Sequence, residues 1–415
     1  MRLRIAGITT LGVVGAAAVA FAAGHLRRQD GVVEPRWWGL SVVARTHDGR
    51  VVATVSTLAG FAVLAIASLL LLAARPSVRA ALAVVALWAV PFLVAPPVAS
   101  LDVYSYAAQG DLLERGLDPS HVGVGRAGPA FAAAADPRWY DAHAPYGPLA
   151  LLVSHGATAA GGRHVLASVV ALRIVAVAAL LVTVAIAVRV ATDPLLAVVV
   201  AAGPLVLITF ASAAHHEALM TALAVAALAA QRRGRPFLAA LLAAAAAAVK
   251  LPGVVVLGAV VCGELAEASA LRERTAVLVR AAIATVLVWG VLALCVPSPF
   301  GWVSALSTPG LGHTPAAPVT ILGRLLPGTE HGWRTAGQVA AVVIVALLLL
   351  TSRRRDVVLT AGWGLLAVGL LGPVLYPWYL APPAVVLALG SSPAGNGLAV
   401  TASVGGPWLA LPRLG

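Results

Sequence analysis

Apolar runs separated by short polar linkers dominate the chain, at about 5–24, 51–74, 78–97, 147–161, 164–188, 195–212, 217–230, 236–249, 251–263, 276–297, 336–351, 356–372, 375–390 and 396–412. A bilayer core of ~30 Å takes roughly 20 apolar residues in helical form. Inside lipid a helix satisfies its own backbone, which an open strand cannot do. The pattern therefore predicts an all-α, polytopic membrane protein. Arg75 with Arg79, the Gln231-Arg232-Arg233-Gly234-Arg235 cluster, Arg272 with Arg274, and Arg353-Arg354-Arg355 are compact basic linkers. Such linkers stay cytoplasmic, so an even number of crossings must separate any two of them. If 147–161 crossed, five helices would lie between Arg79 and Arg232, and the second cluster would fall outside. That run is short, opens with Pro145-Tyr146-Gly147-Pro148 and closes at Gly161-Gly162, which suits a helix lying at the interface.

Dropping that run leaves about 13 transmembrane helices with the N-terminus inside. The chain then reads as one integral membrane domain, 1–415. Residues 98–163 form a first external loop with juxtamembrane helices, and 298–334 form a second. The 25–50 linker, with Arg27, Arg28, Arg36, Arg45 and Arg50, runs against the charge rule because this scheme puts it outside. The first run follows Met1-Arg2-Leu3-Arg4 and continues to Gly24 with no small-x-small cleavage pattern, so an uncleaved first helix is expected.

Composition agrees with this picture: 60% of the 415 residues are hydrophobic and only 11% are charged. A net charge of +12 would suggest nucleic acid in a soluble domain. Here arginines punctuate apolar runs, so the charge is read as topology and no nucleic-acid partner is expected. Cys262 and Cys295 lie in apolar segments at ends assigned to opposite sides, which argues against a disulfide. There is no Asp-x-Asp, no P-loop and no Gly-x-Gly-x-x-Gly, so no nucleotide site is evident. No His, Cys and Asp set has metal-ligand spacing, and no metal or other cofactor is expected.

Candidate chemistry collects on the outer side. Six of the 16 acidic residues (Asp102, Asp111, Glu114, Asp118, Asp136 and Asp141) fall between Asp102 and Tyr146. Asp102 opens the segment Leu101-Asp102-Val103-Tyr104-Ser105-Tyr106-Ala107-Ala108-Gln109-Gly110. Tyr106 at i+4 and Gln109 at i+7 share its face if the segment is helical, giving an amphipathic helix on the membrane. A helix N-cap is the plainer reading of that aspartate. His215-His216-Glu217 stands at the outer junction of two runs. Adjacent histidines on a helix point ~100° apart, a poor joint metal site, but they can bind sugar hydroxyls or orient a carboxylate. Lys250, the chain's only lysine, precedes the helix-breaking Leu251-Pro252-Gly253. An ionisable group at such depth is a functional hypothesis: its candidate partner is a lipid phosphate, with Glu217 the rival and snorkelling the bland alternative. Tyr376-Pro377-Trp378-Tyr379 is either an interfacial belt or a stacking wall for sugar or isoprenoid. Tyr104, Tyr106, Arg126, Arg138, His143 and Tyr146 in the first loop are further substrate-binding candidates.

Taken together, Leu-Asp-Val-Tyr-Ser-Tyr-Ala-Ala-Gln-Gly at 101–110, Gly116-Leu117-Asp118-Pro119, Pro-Tyr-Gly-Pro-Leu at 145–149, His-His-Glu-Ala-Leu-Met at 215–220, Lys-Leu-Pro at 250–252 and Tyr-Pro-Trp-Tyr at 376–379 form a familiar series. In these motifs, over about 78–390, the chain resembles the actinobacterial polyprenol-phosphate-mannose-dependent α-1,6-mannosyltransferases, multi-pass glycosyltransferases of the GT-C fold. It departs from them in carrying His-His-Glu where His-Asn-Asp is expected, and in its shorter C-terminal region. The resemblance implies a plasma-membrane enzyme that moves mannose from polyprenyl phosphate mannose to a glycolipid or cell-envelope glycan such as a lipomannan precursor, at the outer face. It assigns the essential acid of the first external loop to Asp102, as a general base in an inverting reaction. Lys250 would hold the donor phosphate, with Arg126 or Arg138 as helpers. A transporter or lipid-linked sugar flippase is the competing class. The absence of an inverted repeat, and polar groups gathered at one face instead of the midplane, weigh against it.

Overall fold

The computed structural model describes residues 2–23, 37, 47–312 and 314–413. The expected external 25–50 linker thus lies outside the described residues, apart from Trp37 and the start of the second helix. Each apolar run is helical, and no strand occurs among the described residues. The helices are α1 (Arg2–Ala23), α2 (His47–Ala74), α3 (Val78–Val94), α4 (Asp102–Glu114), α5 (Pro129–Ala134), α6 (Pro148–Ala160), α7 (Val165–Val190), α8 (Pro194–Ala201) and α9 (Pro204–Val206). There follow α10 (Glu217–Arg232), α11 (Pro236–Val249), α12 (Gly253–Glu267), α13 (Leu271–Ala293), α14 (Pro318–Leu325), α15 (Glu330–Leu350), α16 (Val357–Leu371), α17 (Pro377–Leu387) and α18 (Pro393–Gly405).

Six stretches are long and apolar enough to cross a bilayer: Leu3–Ala20, Val51–Ala74, Val165–Val190, Pro194–Ser212, Leu271–Ala293 and Glu330–Leu350. These describe an all-α membrane protein. The figure of about 13 crossings counts shorter helices as well. Among these, α10 has 16 residues, α11 14, α12 15 and α17 11. At ~1.5 Å per residue they reach ~17–24 Å, against the ~30 Å of a bilayer core.

Ion pairs and caps tie the basic linkers together at one end of the bundle. Arg75 Nη1 meets Asp193 Oδ2 at 2.8 Å, joining the α2–α3 turn to the α7–α8 turn. Arg232 Nη1 donates to Val190 O at 2.9 Å and Nη2 to Asp356 Oδ2 at 2.7 Å, joining the α7, α10 and α15–α16 ends. Ser352 Oγ donates to Cys262 O at 3.2 Å near the end of α12. The helices leave this end and deliver the starts of α4, α10, α12 and α17 to the other. The run 147–161 folds as α6, whose first turn is fixed at that other end by the Gly147 amide donating to Val249 O at 3.0 Å. It packs along α4 there, with Thr158 Oγ1 donating to Ala107 O at 3.0 Å.

One local expectation changes. Asp102 to Leu112 of α4 are all buried, so this helix does not lie on the membrane as an amphipathic surface element. It packs against α6 and α7, and Asp102, Ser105, Tyr106 and Gln109 face a cleft within the protein. Leu101, not Asp102, holds the N-cap position, without a side-chain cap bond.

Candidate active site

The α10–α11 hairpin explains how two charges come to sit in apolar surroundings. Its turn is anchored at the basic end by Arg232. Alanine, the best helix former, fills α11, and buried Ala243, Ala244, Ala246 and Ala247 let the two helices approach closely. α10 and α11 rise only ~24 and ~21 Å, less than the ~30 Å of a bilayer core. Glu217 opens α10 and Lys250 caps α11, so both sit at the end of the hairpin away from Arg232. α11 ends at Val249 with Lys250 in extended geometry at its C-cap, and Pro252, which has no amide to donate, cannot continue the helix. Lys250 Nζ forms a buried ion pair with Glu217 Oε1, side chains 9% and 2% exposed respectively. The partner seen is therefore Glu217, the rival to the phosphate expected from sequence. The ammonium also lies 4.7 Å from the Tyr379 ring centroid and 5.3 Å from that of Tyr146. Gly147 makes the second contact possible: a Cβ there would stand 2.2 Å from Ala248 O, so only glycine lets the Tyr146 turn sit on the end of α11.

An open cleft of about 530 Å³ lies over this pair. Asp102, Ser105, Tyr106 and Gln109 of α4 line one side, and Tyr146 and Lys250 its floor. Tyr376, Trp378 and Tyr379, from the broken α16–α17 connection, line another side. His143, Trp139 and Thr308 close the rim. Thr308 comes from the second long loop, which is laid over the first through Thr308 Oγ1 donating to His143 O at 3.0 Å. The helical spacing of Asp102, Tyr106 and Gln109 does put all three on one face, directed into the cleft.

Behind this lining runs a chain of polar groups. Tyr146 OH donates to Tyr106 OH at 3.2 Å, and Tyr106 OH lies 3.0 Å from His215 Nδ1. The Tyr106 hydroxyl thus links Tyr146 to His215. His215 Nδ1 is also 3.9 Å from Asp102 Oδ2, and its ring stacks on Trp378 at 3.9 Å. His216 stacks on Tyr106 at 4.1 Å and reaches Ser154 with Nε2 at 3.2 Å. Both histidines thus support the wall from behind and do not line the cleft. Burial pushes the Tyr106 phenol well above its ordinary 10.0, with Tyr146, Asp102 and Glu217 adding to the effect. It therefore stays a neutral hydrogen-bond donor.

Tyr104 points away from the cleft and accepts from Trp37 Nε1 at 2.9 Å. Arg126 is exposed at the end of a short 3-10 turn and does not line the cleft. Arg138 is held by Asp136, with Nε 3.0 Å from Oδ1. That pairing first, and then the nearby Asp102 carboxylate, raise its guanidinium above the ordinary arginine value; Arg138 does not line the cleft, although its neighbour Trp139 does. Ser105 and Thr308 are lining residues that sequence reasoning does not single out. No spacing signal links Thr308 to α4 across some 200 positions. Among the described residues no group of three or more His, Cys, Asp or Glu side chains is placed to hold a metal ion.

One further buried acid fixes the loop that roofs the site. Asp111, in α4, accepts from Gly128 N at 2.6 Å, Arg115 Nε at 2.6 Å and Arg163 Nη2 at 3.2 Å. Burial acts to raise its carboxyl. The Gly128 amide, Arg115 and Arg163 outweigh that and hold it below its ordinary 3.8.

The family model described as "Alpha-(1->6)-mannopyranosyltransferase, N-terminal domain" matches residues 6–266, and one described as "MptB C-terminal domain" matches 315–412. The chain is similar to Alpha-(1->6)-mannopyranosyltransferase A of Mycobacterium tuberculosis, 31% identical over 322 residues, which cover 72% of this chain and 61% of that protein. It is 29% identical over 353 residues to "Probable alpha-(1->6)-mannopyranosyltransferase" of Mycolicibacterium smegmatis, covering 71% of this chain and 62% of that one. A shorter match, 35% over 140 residues, is to Alpha-(1->6)-mannopyranosyltransferase A of Corynebacterium glutamicum, covering 32% of this chain and 28% of that protein. The chain spans about three fifths of the length of the first two relatives. No solved structure matches it.

Proposed function

The chain belongs to the alpha-(1->6)-mannopyranosyltransferase family, and from that premise we propose that it transfers mannose from polyprenyl phosphate to a hydroxyl of a glycolipid or cell-envelope glycan. The link formed is α-1,6, made with inversion at the outer face of the plasma membrane. The observation that carries this reading is the pairing of a buried carboxylate, Asp102, with a buried ammonium, Lys250, on one cleft walled by aromatic rings. Placed at the end of a hairpin shorter than a bilayer core, the cleft suits a donor whose prenyl chain stays in lipid while its sugar reaches upward. The rings of Tyr376, Trp378 and Tyr379 offer apolar faces to the sugar or to the first isoprene units.

Asp102 acts as general base. It takes the proton of the acceptor hydroxyl as that oxygen bonds to the anomeric carbon, and the carbon's bond to the phosphate oxygen breaks, the phosphate leaving with the electron pair. Attack opposite a β-linked phosphate gives the α product. Lys250 supplies positive charge where negative charge grows on the leaving oxygen, with Glu217 fixing the ammonium from behind and Arg138 adding charge nearby. Phosphate is already a fair leaving group, so positioning and charge neutralisation supply most of the acceleration. The purified chain in proteoliposomes, offered labelled mannose either on polyprenyl phosphate or on a nucleotide, should transfer only from the first. Transfer from the nucleotide donor alone would contradict the reading.

A further inference from the structure

The apolar run 164–188 carries a single charged side chain, Arg173, buried in the middle of α7 at 5% exposure. An arginine inside a membrane segment is costly and calls for a reason. Its fork is employed by backbone. Nη1 donates to Leu93 O at 3.1 Å and to Ala95 O at 2.9 Å, and Nη2 donates to Ser212 O at 2.7 Å. The guanidinium also lies 4.6 Å from the Trp37 ring centroid. Leu93 and Ala95 end α3, and Ser212 ends a π-helix, Leu207–Ser212. Helix C-termini present partial negative charge, so one cation meets two helix ends.

Just beyond each of these ends the backbone enters the left-handed region at a residue that is not glycine: Ala99 with φ 63° and Ala214 with φ 52°. Ala99 stands three residues before Asp102, and Ala214 immediately before His215. Such strain persists only where the surroundings over-determine it. The two turns are also tied to each other, since Val98 N donates to Ser212 Oγ at 2.9 Å. π-Helical segments recur at functional sites for a related reason, because they re-aim the residues C-terminal to them.

We propose that Arg173 is a positioning residue: its planar fork clamps the two strained turns that set Asp102 in the cleft lining and His215 behind it. Lysine, a point charge on a flexible stem, cannot hold three carbonyls in that arrangement. The effect on transfer rests on the function proposed above, whereas the hold on the two turns does not.

The test compares the full chain with Arg173→Lys, and with Arg189→Lys as a control on the same helix, whose guanidinium reaches only Ala185 O and is exposed. Amide hydrogen exchange of the purified protein in detergent is read alongside donor kinetics in proteoliposomes. Arg173→Lys should speed exchange about tenfold or more in the segments around 98–103 and 213–217, with the rest of the chain within about twofold. It should lower kcat about tenfold or more while donor KM stays within about twofold, because the acting groups are misplaced and the donor contacts are not removed. Adding Ala99→Gly and Ala214→Gly, which hold the left-handed turns without strain, should recover part of kcat, and recovers insertion should the single variant insert poorly. Unchanged exchange in both segments overturns the proposal, as does a uniform rise along the whole chain or no recovery with the glycines. If the parent itself transfers nothing from polyprenyl phosphate mannose, the functional reading fails while exchange still decides the clamp.

Discussion

Replacing Lys250 by Met separates the structural part of the buried pair from its chemical part. Methionine keeps the apolar stem and removes the charge, leaving the Glu217 carboxylate 2% exposed and without its ammonium. Breaking one side of a buried ion pair costs about 3–5 kcal/mol. The position of Glu217 in the first turn of α10 returns up to ~1 kcal/mol through the helix dipole. Loss of the ammonium from the rings of Tyr379 and Tyr146 adds ~0.5–1 kcal/mol. The net expectation is a destabilisation of about 2.5–5 kcal/mol. A second substitution, Glu217→Gln, removes the stranded charge, and the double variant should return to within ~1 kcal/mol of the parent. Heating in detergent followed by size-exclusion of the surviving protein measures this: Lys250→Met should lose monodisperse protein at markedly lower temperature, and the double variant should recover most of the loss. Both variants should still use the lipid donor poorly. A Lys250→Met protein as stable as the parent would refute the reasoning, as would a double variant no better than the single.

Tyr106→Phe should fold, because the ring contacts with His216 and Tyr146 remain. It removes the hydroxyl hydrogen-bonded to His215 Nδ1 and should slow transfer about tenfold, read as a kcat loss at saturating donor. Asp111 bears on pH: its folded carboxyl is held below 3.8, so its stabilisation is full above the unfolded value and is lost as pH falls through the lower folded one. Limited proteolysis of the first loop should therefore begin in the parent only below about pH 4, whereas Asp111→Asn should be cut at neutral pH. Cysteines placed at positions 141 and 163 should both react with an impermeant thiol reagent from outside, and one at 233 should not. Labelling 141 and 163 from opposite sides would mean that α6 crosses.

Much of the scaffold is legible in local features. Basic Arg232-Arg233-Gly234-Arg235 followed by Pro236 marks the α10–α11 turn, and Pro252-Gly253 marks the break at Lys250. The parity of arginine clusters predicts that α6 does not cross, which the thiol labelling tests, and the structure seats its first turn at the cleft end. The i, i+4, i+7 spacing of Asp102, Tyr106 and Gln109 likewise carries into three dimensions, because helical period is a local property. The relations that stay hidden are long-range. Glu217 and Lys250 are 33 positions apart, and nothing in either segment says that the hairpin closes the gap. Arg126 is as eligible as Arg138 in the sequence, and only Arg138 has an acid two residues earlier, Asp136, to pair with. Arg173 vanishes inside an apolar run, since its partners are backbone carbonyls, which leave no trace in residue type.

Asp102 is where the account can be tested most directly. The measurement is transfer of labelled mannose from polyprenyl phosphate by purified Asp102→Asn, beside the parent, in proteoliposomes, with folding checked by thermal stability. The amide keeps the shape of the carboxylate but cannot accept the proton of the acceptor hydroxyl. The account predicts a properly inserted protein with donor KM nearly unchanged and a rate lower by about 10²–10⁴. A correctly folded Asp102→Asn protein within a few-fold of the parent would contradict it, and the base would have to lie elsewhere.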